Sequence, residues 1–271
     1  MSRLRRLDAE LVRRRLARSR EQASALVATG RVSVGGRAAT KPATLVDPAA
    51  PIVVADAEHD PNWASRGAYK LLGALETFGD AEDPLTVTGR HCLDAGASTG
   101  GFTDVLLRHG AAHVVAVDVG YGQLVWRLQQ DERVTVLDRL NVRELTPDLL
   151  PYEPDLVVGD LSFISLRLVL PSLVACAAPR AELVLMVKPQ FEVGRERLGT
   201  GGVVRDPGLR AEAVLTVARA AAGLGLGVRG VVASPLPGPS GNVEYFLRLR
   251  RGAPDPDPEA VLRAVADGPQ G

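Results

Sequence analysis

The chain has 271 residues, 46% of them hydrophobic, and its 32 basic and 32 acidic residues leave no net charge at pH 7. This length and composition indicate an ordinary soluble globular protein with room for at least one large core. The sequence has no run of about 18 apolar residues and no apolar segment near its start, so we expect a cytoplasmic protein without a membrane span or a secretory signal.

The first 41 residues are strongly basic, with eleven Lys and Arg against three acids. Apolar residues at near-helical spacing predict helices over 7–17 and 19–29, and Gly35-Gly36 predicts a hairpin in RVSVGGRAA. Such a charge beside an acidic remainder favours RNA binding over a merely solvated helix face. The candidate RNA-binding residues are Arg3, Arg5, Arg6, Arg13, Arg14, Arg18 and Arg20.

A polar stretch around Pro61 is typical of a linker between two domains. The sequence PDPDPEA near the end predicts a disordered spacer, although residues 258–266 have the composition for a short helix. The expected divisions are an RNA-binding domain at 1–60, a linker at 61–65, a second domain at 66–252 and a flexible tail at 253–271.

From residue 66 onward, continuous apolar runs alternate with segments of helical length. Such runs are typical of a parallel sheet covered on both faces, so we expect an α/β fold. Cys92 and Cys176 are too few for a disulfide framework and too far apart for a metal-binding pattern, and we expect buried thiols and no metal. The predicted strands are 91–95, 113–119, 134–138, 154–160, 181–188, 228–233 and 243–249, and the predicted helices are 101–109, 121–130, 165–177 and 208–224.

Residues 92–102, CLDAGASTGGF, form a strand end followed by a glycine-rich turn. In an α/β sheet such a turn approaches a ligand. A dinucleotide would place its pyrophosphate here, but the glycine spacing differs from G-x-G-x-x-G and Asp94 would repel the anion. The same carboxylate would attract the α-ammonium group of S-adenosylmethionine. The candidate cofactor residues of this segment are Asp94, Gly96, Ser98, Thr99, Gly100, Gly101 and Phe102.

Two further acids stand at the ends of the next two predicted strands. Asp118 closes HVVAVD about twenty residues later, where a carboxylate can accept both ribose hydroxyls. Asp138 is placed to meet the adenine. Acids at three successive strand ends favour S-adenosylmethionine as the cofactor over simple helix capping.

Lysine is rare in this chain, because only Lys41, Lys70 and Lys188 are lysines among the 32 basic residues. Lys70 stands in SRGAYKL at the start of a helix before the sheet, and Lys188 ends the run LVLMVKP. An ammonium group, unlike a guanidinium, can lose its proton when it is buried or crowded by another cation. Both lysines are therefore candidates for a base or for a group that orients a hydroxyl, and chance placement is the alternative.

Two acids complete the candidate site, since Asp160 ends the fourth strand in VVGDLSF and Glu244 begins the last in GNVEYF. With Lys70 and Lys188 they predict an alternating Lys-Asp-Lys-Glu cluster at the mouth of the sheet. In this interpretation Asp160 holds Lys188, Lys188 accepts or steers a proton, and the other two fix the hydroxyl. Such a cluster suits methyl transfer to a ribose 2′-hydroxyl, a poor nucleophile that must be aligned while losing its proton.

These motifs, in this order, resemble the TlyA-type (haemolysin A) ribosomal RNA 2′-O-methyltransferases, which are related to FtsJ-like ribose methyltransferases. The resemblance rests on RLDAELVRRRLARSREQASALVATGRVSVGG, SRGAYKL, CLDAGASTGGFTDVLL, VDVGYGQL, GDLSFISL, VKPQFEVGRE, GGVVRDP and SGNVEYF, and ends near residue 252. It implies a Rossmann-like class I methyltransferase sheet behind an RNA-binding domain shared with a small-subunit ribosomal protein.

The resemblance also implies that Lys70, Asp160, Lys188 and Glu244 match the catalytic tetrad of the family. The implied substrate is a cytidine ribose in ribosomal RNA of the large subunit, the small subunit or both. Two alternatives belong to other classes of function. One is a non-enzymatic rRNA-binding assembly factor, and the other is a membrane-active lysin, against which the absence of an amphipathic segment with aromatic anchors argues.

Overall fold

The protein consists of two compact units, Met1–Asn62 and Trp63–Gly271. The structure is a computed structural model that describes residues 4–28, 31–39, 41–54, 62–238 and 240–269. Within these ranges no helix is long and apolar enough to cross a bilayer.

The first unit is a small α/β domain with two helices and short strands. Its core is formed by apolar side chains from both helices and from three strands, among them Leu7, Leu11, Val27, Val32 and Ile52. Strand β2 lies between β3 and β5, and β1 pairs with β4 in a separate antiparallel ribbon. The elements are β1 (Arg5–Arg6), α1 (Leu7–Arg13), α2 (Arg20–Ala28), β2 (Val32–Val34), β3 (Arg37–Ala38), β4 (Leu45–Val46) and β5 (Ile52–Val54).

The second unit alternates strands and helices along the chain. Its elements are α3 (Gly67–Gly79), β6 (His91–Ala95), α4 (Gly101–Arg108), β7 (His113–Asp118), α5 (Trp126–Gln129), β8 (Val134–Asp138), β9 (Leu156–Gly159), α6 (Leu170–Cys176), β10 (Glu182–Val187), α7 (Pro189–Glu192), α8 (Pro207–Ala222), β11 (Leu226–Ala233), β12 (Tyr245–Arg251) and α9 (Pro258–Asp267). Short 3₁₀ turns lie between β8 and β9, directly before α6, and between α7 and α8.

These strands form one seven-stranded sheet in the order β11-β12-β10-β9-β6-β7-β8. Strands β6 to β10 run parallel, whereas β12 is antiparallel to both of its neighbours. Apolar side chains alternate between two cores, because Leu183 and Leu185 face one cluster while Val184 and Met186 face the other. Helices therefore cover both faces of the sheet, and the α/β fold class is confirmed.

Two elements differ from the sequence-based expectation. Helix α5 is one turn long instead of spanning 121–130, because the backbone amides of Gly120 and Gly122 are held by strand-end carboxylates and Gly122 has φ +61°. The flexible tail expected at 253–271 was wrong for Pro258–Asp267. That segment is helix α9, which Asp257 caps and which buries Val261 and Val265 one turn apart against the sheet.

Candidate active site

The carboxyl ends of the parallel strands β6 to β10 meet at one edge of the sheet, and the antiparallel β12 brings its amino end to the same edge. Asp94 is the penultimate residue of β6, Asp118 ends β7, and Asp138 ends β8. Asp160 and Lys188 directly follow β9 and β10, and Glu244 directly precedes β12. The sequence-predicted site residues of this unit are thus collected along one edge by the topology of the sheet.

Lys70 and Glu244 form a buried ion pair in this edge. The Lys70 Nζ lies 2.6 Å from Glu244 Oε2 and 3.9 Å from Asp160 Oδ2. Lys70 projects from the first turn of α3, and the Met186 sulfur lies 3.9 Å from its Nζ. Lys70 therefore joins a carboxylate from β12 to one from the end of β9.

Lys188 forms the second half of the cluster. Its Nζ lies 2.5 Å from Asp160 Oδ1 and donates a hydrogen bond to Ser162 Oγ at 2.8 Å. The Asp160 side chain retains 21% of its accessible surface, whereas that of Glu244 retains none. The four residues form the continuous chain Glu244–Lys70–Asp160–Lys188, and Asp160 is its most accessible member.

Two glycines allow close contacts near the Lys70–Glu244 pair, one between α3 and the segment before β12 and one within that segment. A Cβ at Gly73, one turn after Lys70, would lie 2.7 Å from Pro235 Cγ, so only glycine permits this approach. A Cβ at Gly238 would lie 2.5 Å from Glu244 Oε1. The two glycines thus allow the backbone to close around the buried Lys70–Glu244 pair.

The turn after β6 has the backbone form expected of a ligand-approach loop. Gly96 has φ +86° and Ser98 has φ +47°, and a Cβ at Gly96 would lie 3.1 Å from the Asp160 carbonyl oxygen. The amides of Gly96 and Ala97 donate to the Val117 carbonyl at 2.8 and 3.1 Å. The turn is therefore fixed between β7 and the Asp160 segment, with Ser98 and Thr99 exposed.

Three other residues of this turn have packing roles that the sequence interpretation did not include. A Cβ at Gly100 would lie 2.5 Å from Leu128 Cδ1, and one at Gly101 would lie 2.3 Å from Ser65 Oγ. Phe102 is buried in the second core, with its ring centroid 6.0 Å from that of Phe246. Gly100 and Gly101 thus allow the start of helix α4 to pack closely against Leu128 and Ser65.

Asp94 is fully buried beneath the turn. Its Oδ2 accepts a hydrogen bond from Thr103 Oγ1 at 2.7 Å, while no residue in the described ranges donates to its Oδ1. Burial is the largest influence on this carboxyl and raises its pKa to about 7, opposed by the Thr103 hydrogen bonds. The Asp94 carboxylate therefore has no exposed surface above the turn.

Asp118 and Asp138 are neighbours in the register of β7 and β8 and are both partly accessible. Asp118 accepts backbone amides from Ser98 and Gly120 at 2.8 and 2.7 Å, and Asp138 accepts that of Gly122 at 2.8 Å. Each carboxylate oxygen has a second lone pair, so both residues retain capacity to accept further hydrogen bonds. In the described part of the chain no cluster of three or more His, Cys, Asp or Glu could hold a metal ion.

Two features near the cluster were missed by sequence reasoning. Glu192, at the end of α7, accepts hydrogen bonds from Ser165 Oγ at 2.6 Å and the Leu166 amide at 2.7 Å, which ties the Asp160 loop to the Lys188 segment. Phe163 is 91% exposed and has φ +64°, and its ring contacts that of Phe191 at a tilt of 48° with 5.3 Å between the centroids. Both residues stand in quoted motifs, Glu192 in VKPQFEVGRE and Phe163 in GDLSFISL, but the motifs alone gave neither residue a role.

Asn242 was also missed, although it stands only two residues before Glu244. It is buried, its Oδ1 accepts the Val204 amide at 2.9 Å, and its Nδ2 donates to the Gly202 carbonyl at 3.0 Å. Its own carbonyl accepts the Gly238 amide at 2.9 Å. Asn242 thus joins the loop before α8 to the segment that presents Glu244, a pairing that only the folded chain reveals.

Most of the candidate RNA-binding arginines of the first unit are bound to two buried acids. Asp8 pairs with Arg6 and Arg20 at 2.8 and 3.0 Å. Glu10 pairs with Arg13 and Arg14 at 2.6 and 2.8 Å. The guanidinium groups depress the pKa of both carboxyls, so these acids stay ionised and fix the arginines in place.

Arg14 has a second set of partners besides Glu10. Arg14 also donates to the carbonyls of Pro48 and Ala50 at 2.7 and 2.9 Å, which gives it a structural role. Arg18 contacts the Asn62 side chain, and Arg5 is exposed on β1. Arg3 lies outside the described residues. The RNA-binding role of the whole set stays a prediction.

Comparison with known families divides the chain in the same place as its folding units. Residues 63–251 match the FtsJ-like methyltransferase family, and residues 5–52 match the S4 domain. The first match covers the seven-stranded sheet and the four-residue cluster. The second covers the basic unit with its two helices.

Individual proteins match over most of the chain. The 16S/23S rRNA (cytidine-2′-O)-methyltransferase TlyA of Mycobacterium tuberculosis is 58% identical, over 99% of this chain and all of that protein. The 23S rRNA (cytidine-2′-O)-methyltransferase TlyA of Campylobacter jejuni is 34% identical over 68% of this chain and 69% of its own length. A solved structure described as a hemolysin from Streptococcus thermophilus is 37% identical, with a TM-score of 0.76 over 98% of this chain and 96% of its own.

Proposed function

The chain belongs to the TlyA family of FtsJ-like methyltransferases, and from this premise we propose that it methylates the ribose 2′-hydroxyl of cytidine in ribosomal RNA. The observation that carries the proposal is the ion-paired chain Glu244–Lys70–Asp160–Lys188 beside the glycine turn after β6. With ribosomal RNA as the substrate, we also propose that the S4 unit, residues 1–60, binds RNA and that the enzyme acts in the cytoplasm.

The residues at the sheet edge fit S-adenosylmethionine as the methyl donor. Asp94 has an unpartnered buried oxygen beneath the turn, Gly96 holds the turn in a positive-φ conformation, and Asp118 and Asp138 keep free lone pairs. We assign Asp94 to the charge of the donor and Asp118 and Asp138 to its ribose and adenine. When bound, the donor supplies an electrophilic methyl group on a sulfonium.

Lys188 orients the attacking hydroxyl in this proposal. An ion-paired ammonium group can donate a hydrogen bond to the hydroxyl oxygen, but it has no lone pair with which to take the proton. Asp160 Oδ1 and Ser162 Oγ fix its position at 2.5 and 2.8 Å. A nucleophile held within a few tenths of an ångström of its line of attack gains much of the rate available to this reaction.

Asp160 receives the proton of the hydroxyl. It is the most accessible carboxylate of the cluster, and it contacts both lysines. A donor bound here would supply the methyl group and leave as the neutral thioether, and the hydroxyl proton would pass to Asp160 and then to solvent. Lys70 and Glu244 hold Asp160 from the buried side, which keeps the acceptor aligned.

The test is transfer of labelled methyl from S-adenosylmethionine to purified 30S and 50S subunits that lack the modification. Label on cytidine ribose with the wild-type protein, lost with Lys188→Ala, supports the proposal. Because the relative at 58% identity is described as a 16S/23S enzyme, both subunits are substrates in our proposal. Absence of label on both subunits, with the donor still bound, would instead favour an assembly factor that does not catalyse methyl transfer.

A further inference from the structure

Residues 193–204 form a folded loop between α7 and α8. Val193 and Val204 are both buried at its base, where they pack with Ala213 and with the partly buried Leu198 and Leu209. A compact loop whose ends meet and whose own side chains pack inside it holds its tip in a defined position. We call residues 194–205 the Arg195 loop; this range includes Arg205, which directly follows Val204.

The other arginines of the Arg195 loop are used to hold it. Arg197 donates to the Val193 carbonyl at 2.7 Å and to Glu212 Oε1 at 2.7 Å. Arg205 reaches the Thr200 carbonyl at 3.4 Å. Arg195 is exposed, and no described residue accepts a hydrogen bond from its side chain. Its guanidinium is therefore available to a ligand outside this chain.

The Arg195 loop is joined at both ends to segments that carry residues of the proposed reaction centre. Helix α7 begins directly after Lys188, and the loop follows α7. At its other end the Val204 amide is held by Asn242, two residues before Glu244. The loop is thus connected through short stretches of backbone to Lys188 and Glu244, the two terminal residues of the cluster.

The loop has three arginines and a single acid, Glu196, in a chain whose residues after 41 are acidic overall. A polyanion that approaches this unit is repelled by most of its surface and attracted where positive charge is concentrated. Double-stranded and folded RNA is held mainly through phosphate contacts of this kind, which position the substrate without reading its sequence.

We propose that the Arg195 loop is a contact surface for the phosphate backbone of the substrate RNA, with Arg195 as its principal contact. The proposal rests on the proposed function, because it assumes that RNA reaches Lys188. The S4 unit then supplies the bulk of the affinity, and the Arg195 loop fixes the strand next to the reacting ribose.

The experiment compares full-length Arg195→Glu with Arg180→Glu. Arg180 is an exposed arginine before β10, at the opposite end of the strand that leads to Lys188. Binding and methylation of 50S subunits are measured at several salt concentrations, with donor affinity as a check on the fold. We expect Arg195→Glu to weaken subunit binding about tenfold and to lower the salt slope by about 1, with donor affinity unchanged.

Arg195→Lys retains the charge and is expected to bind subunits within about twofold of wild type. Equal subunit affinity for Arg195→Glu and wild type would overturn the proposal, as would an equal loss for Arg180→Glu. If the wild-type protein transfers no methyl group, the proposed function fails by itself. The affinity of Arg195→Glu for the subunits still decides the contact surface in that case.

Discussion

Lys188 is held in the cluster by contacts that an arginine cannot reproduce. The ammonium nitrogen lies between Asp160 and Ser162 at 2.5 and 2.8 Å in a nearly closed space. A planar guanidinium on a longer stem shifts the donor by about an ångström, and a displacement of that size costs about 10²-fold in rate. We expect Lys188→Arg to lower kcat about 100-fold and to leave donor affinity within a few fold, as measured by single-turnover methylation and calorimetry.

Lys41→Arg is the matched control, since it makes the same change at an exposed lysine of the other unit. Its kcat is expected to equal that of the wild type. Full activity of Lys188→Arg would show that charge alone suffices at this position, and it would remove the orienting role.

Asp94 predicts a pH dependence of donor binding. Its pKa of about 7 in the free protein means that it carries a proton at low pH, and a bound cation favours the ionised form. Donor binding therefore expels a proton below pH 7, so the dissociation constant is expected to be about tenfold weaker at pH 6 than at pH 8. Titration calorimetry in buffers of different ionisation enthalpy measures the released proton, and Asp94→Asn should abolish both effects.

The raised pKa of Asp94 also affects folding stability, and its contribution is larger at low pH, whereas donor binding is stronger at high pH. The folded pKa is raised above its ordinary value, so the native state keeps a proton that the unfolded chain releases. The contribution of Asp94 to stability is present below about pH 4 and is lost as the pH rises to about 7. Asp94→Asn should therefore raise the Tm of the donor-free protein at pH 8 but not at pH 4, and a lower Tm at pH 8 would contradict the raised pKa.

Residue type and position in the sequence identified the residues of the candidate site, but they did not show what each residue contacts in the fold. The scarcity of lysine and the acids at strand ends pointed to Lys70, Lys188, Asp160 and Glu244, which the fold brings together. Gly100 was assigned to the ligand, whereas its neighbour in the fold is Leu128. The sequence cannot distinguish these two roles, because the residue type is the same for a glycine that allows helix packing and for one that allows a cofactor to approach.

At the level of elements, Asn242 connects the Arg195 loop to the start of β12. Asn242→Ala leaves the Val204 amide and the Gly202 carbonyl without their partner, at a cost of about 1–3 kcal/mol. Because the segment that presents Glu244 then loses its support, we expect kcat to fall at least about tenfold while the stoichiometry of donor binding stays at one.

Asn141→Ala is the control, because Asn141 caps a 3₁₀ turn elsewhere by accepting the Arg143 amide at 3.1 Å. It should cost about 1 kcal/mol in unfolding without changing kcat. Asn242→Asp retains the acceptor for Val204 and should recover part of the lost rate. If both asparagine variants lower kcat in proportion to their stability alone, Asn242 has no positioning role.

The strands of the sheet were predicted to within about two residues, because buried parallel strands are continuous apolar runs with sharp ends. The helices were predicted less well. The stretch 121–130 has helical composition, yet two carboxylates hold its first residues as a loop and leave only α5. The packing of helix α9 was not predicted, because two valines in a proline- and aspartate-rich segment are a weak indication of a buried helix. Their burial is evident only in the fold, where they pack against the sheet.

Across the whole molecule, positive charge is concentrated in the S4 unit, but its arginines do not all serve the same purpose. Arg14→Ala removes bonds to Glu10 and to two backbone carbonyls, so we expect a loss of about 1–3 kcal/mol in unfolding free energy. Arg5→Ala removes an exposed side chain and should change stability by less than about 0.5 kcal/mol while weakening subunit binding. Thermal unfolding and subunit binding of both variants separate the two roles, and a stable Arg14→Ala with weak binding would reverse the assignment.

The division into two units was readable from charge and composition, which change abruptly near residue 60. The pairing of Asp8 and Glu10 with the arginines around them was not. Such ion pairs depend on which side chains share one side of a folded unit, and charge counting treats every arginine as available.

Strand β12 lies between β10 and β11, although it is the last strand to be synthesised. Lys70 and its partner Glu244 are 174 positions apart, so the cluster closes only when this final strand inserts into a sheet whose other six members have already emerged. Contacts of such long range form late and slowly. A nascent or truncated chain that ends before β12 can complete the turn after β6 but has no means of assembling the Lys70–Glu244 pair, so catalytic competence is the last property that this protein acquires during its synthesis.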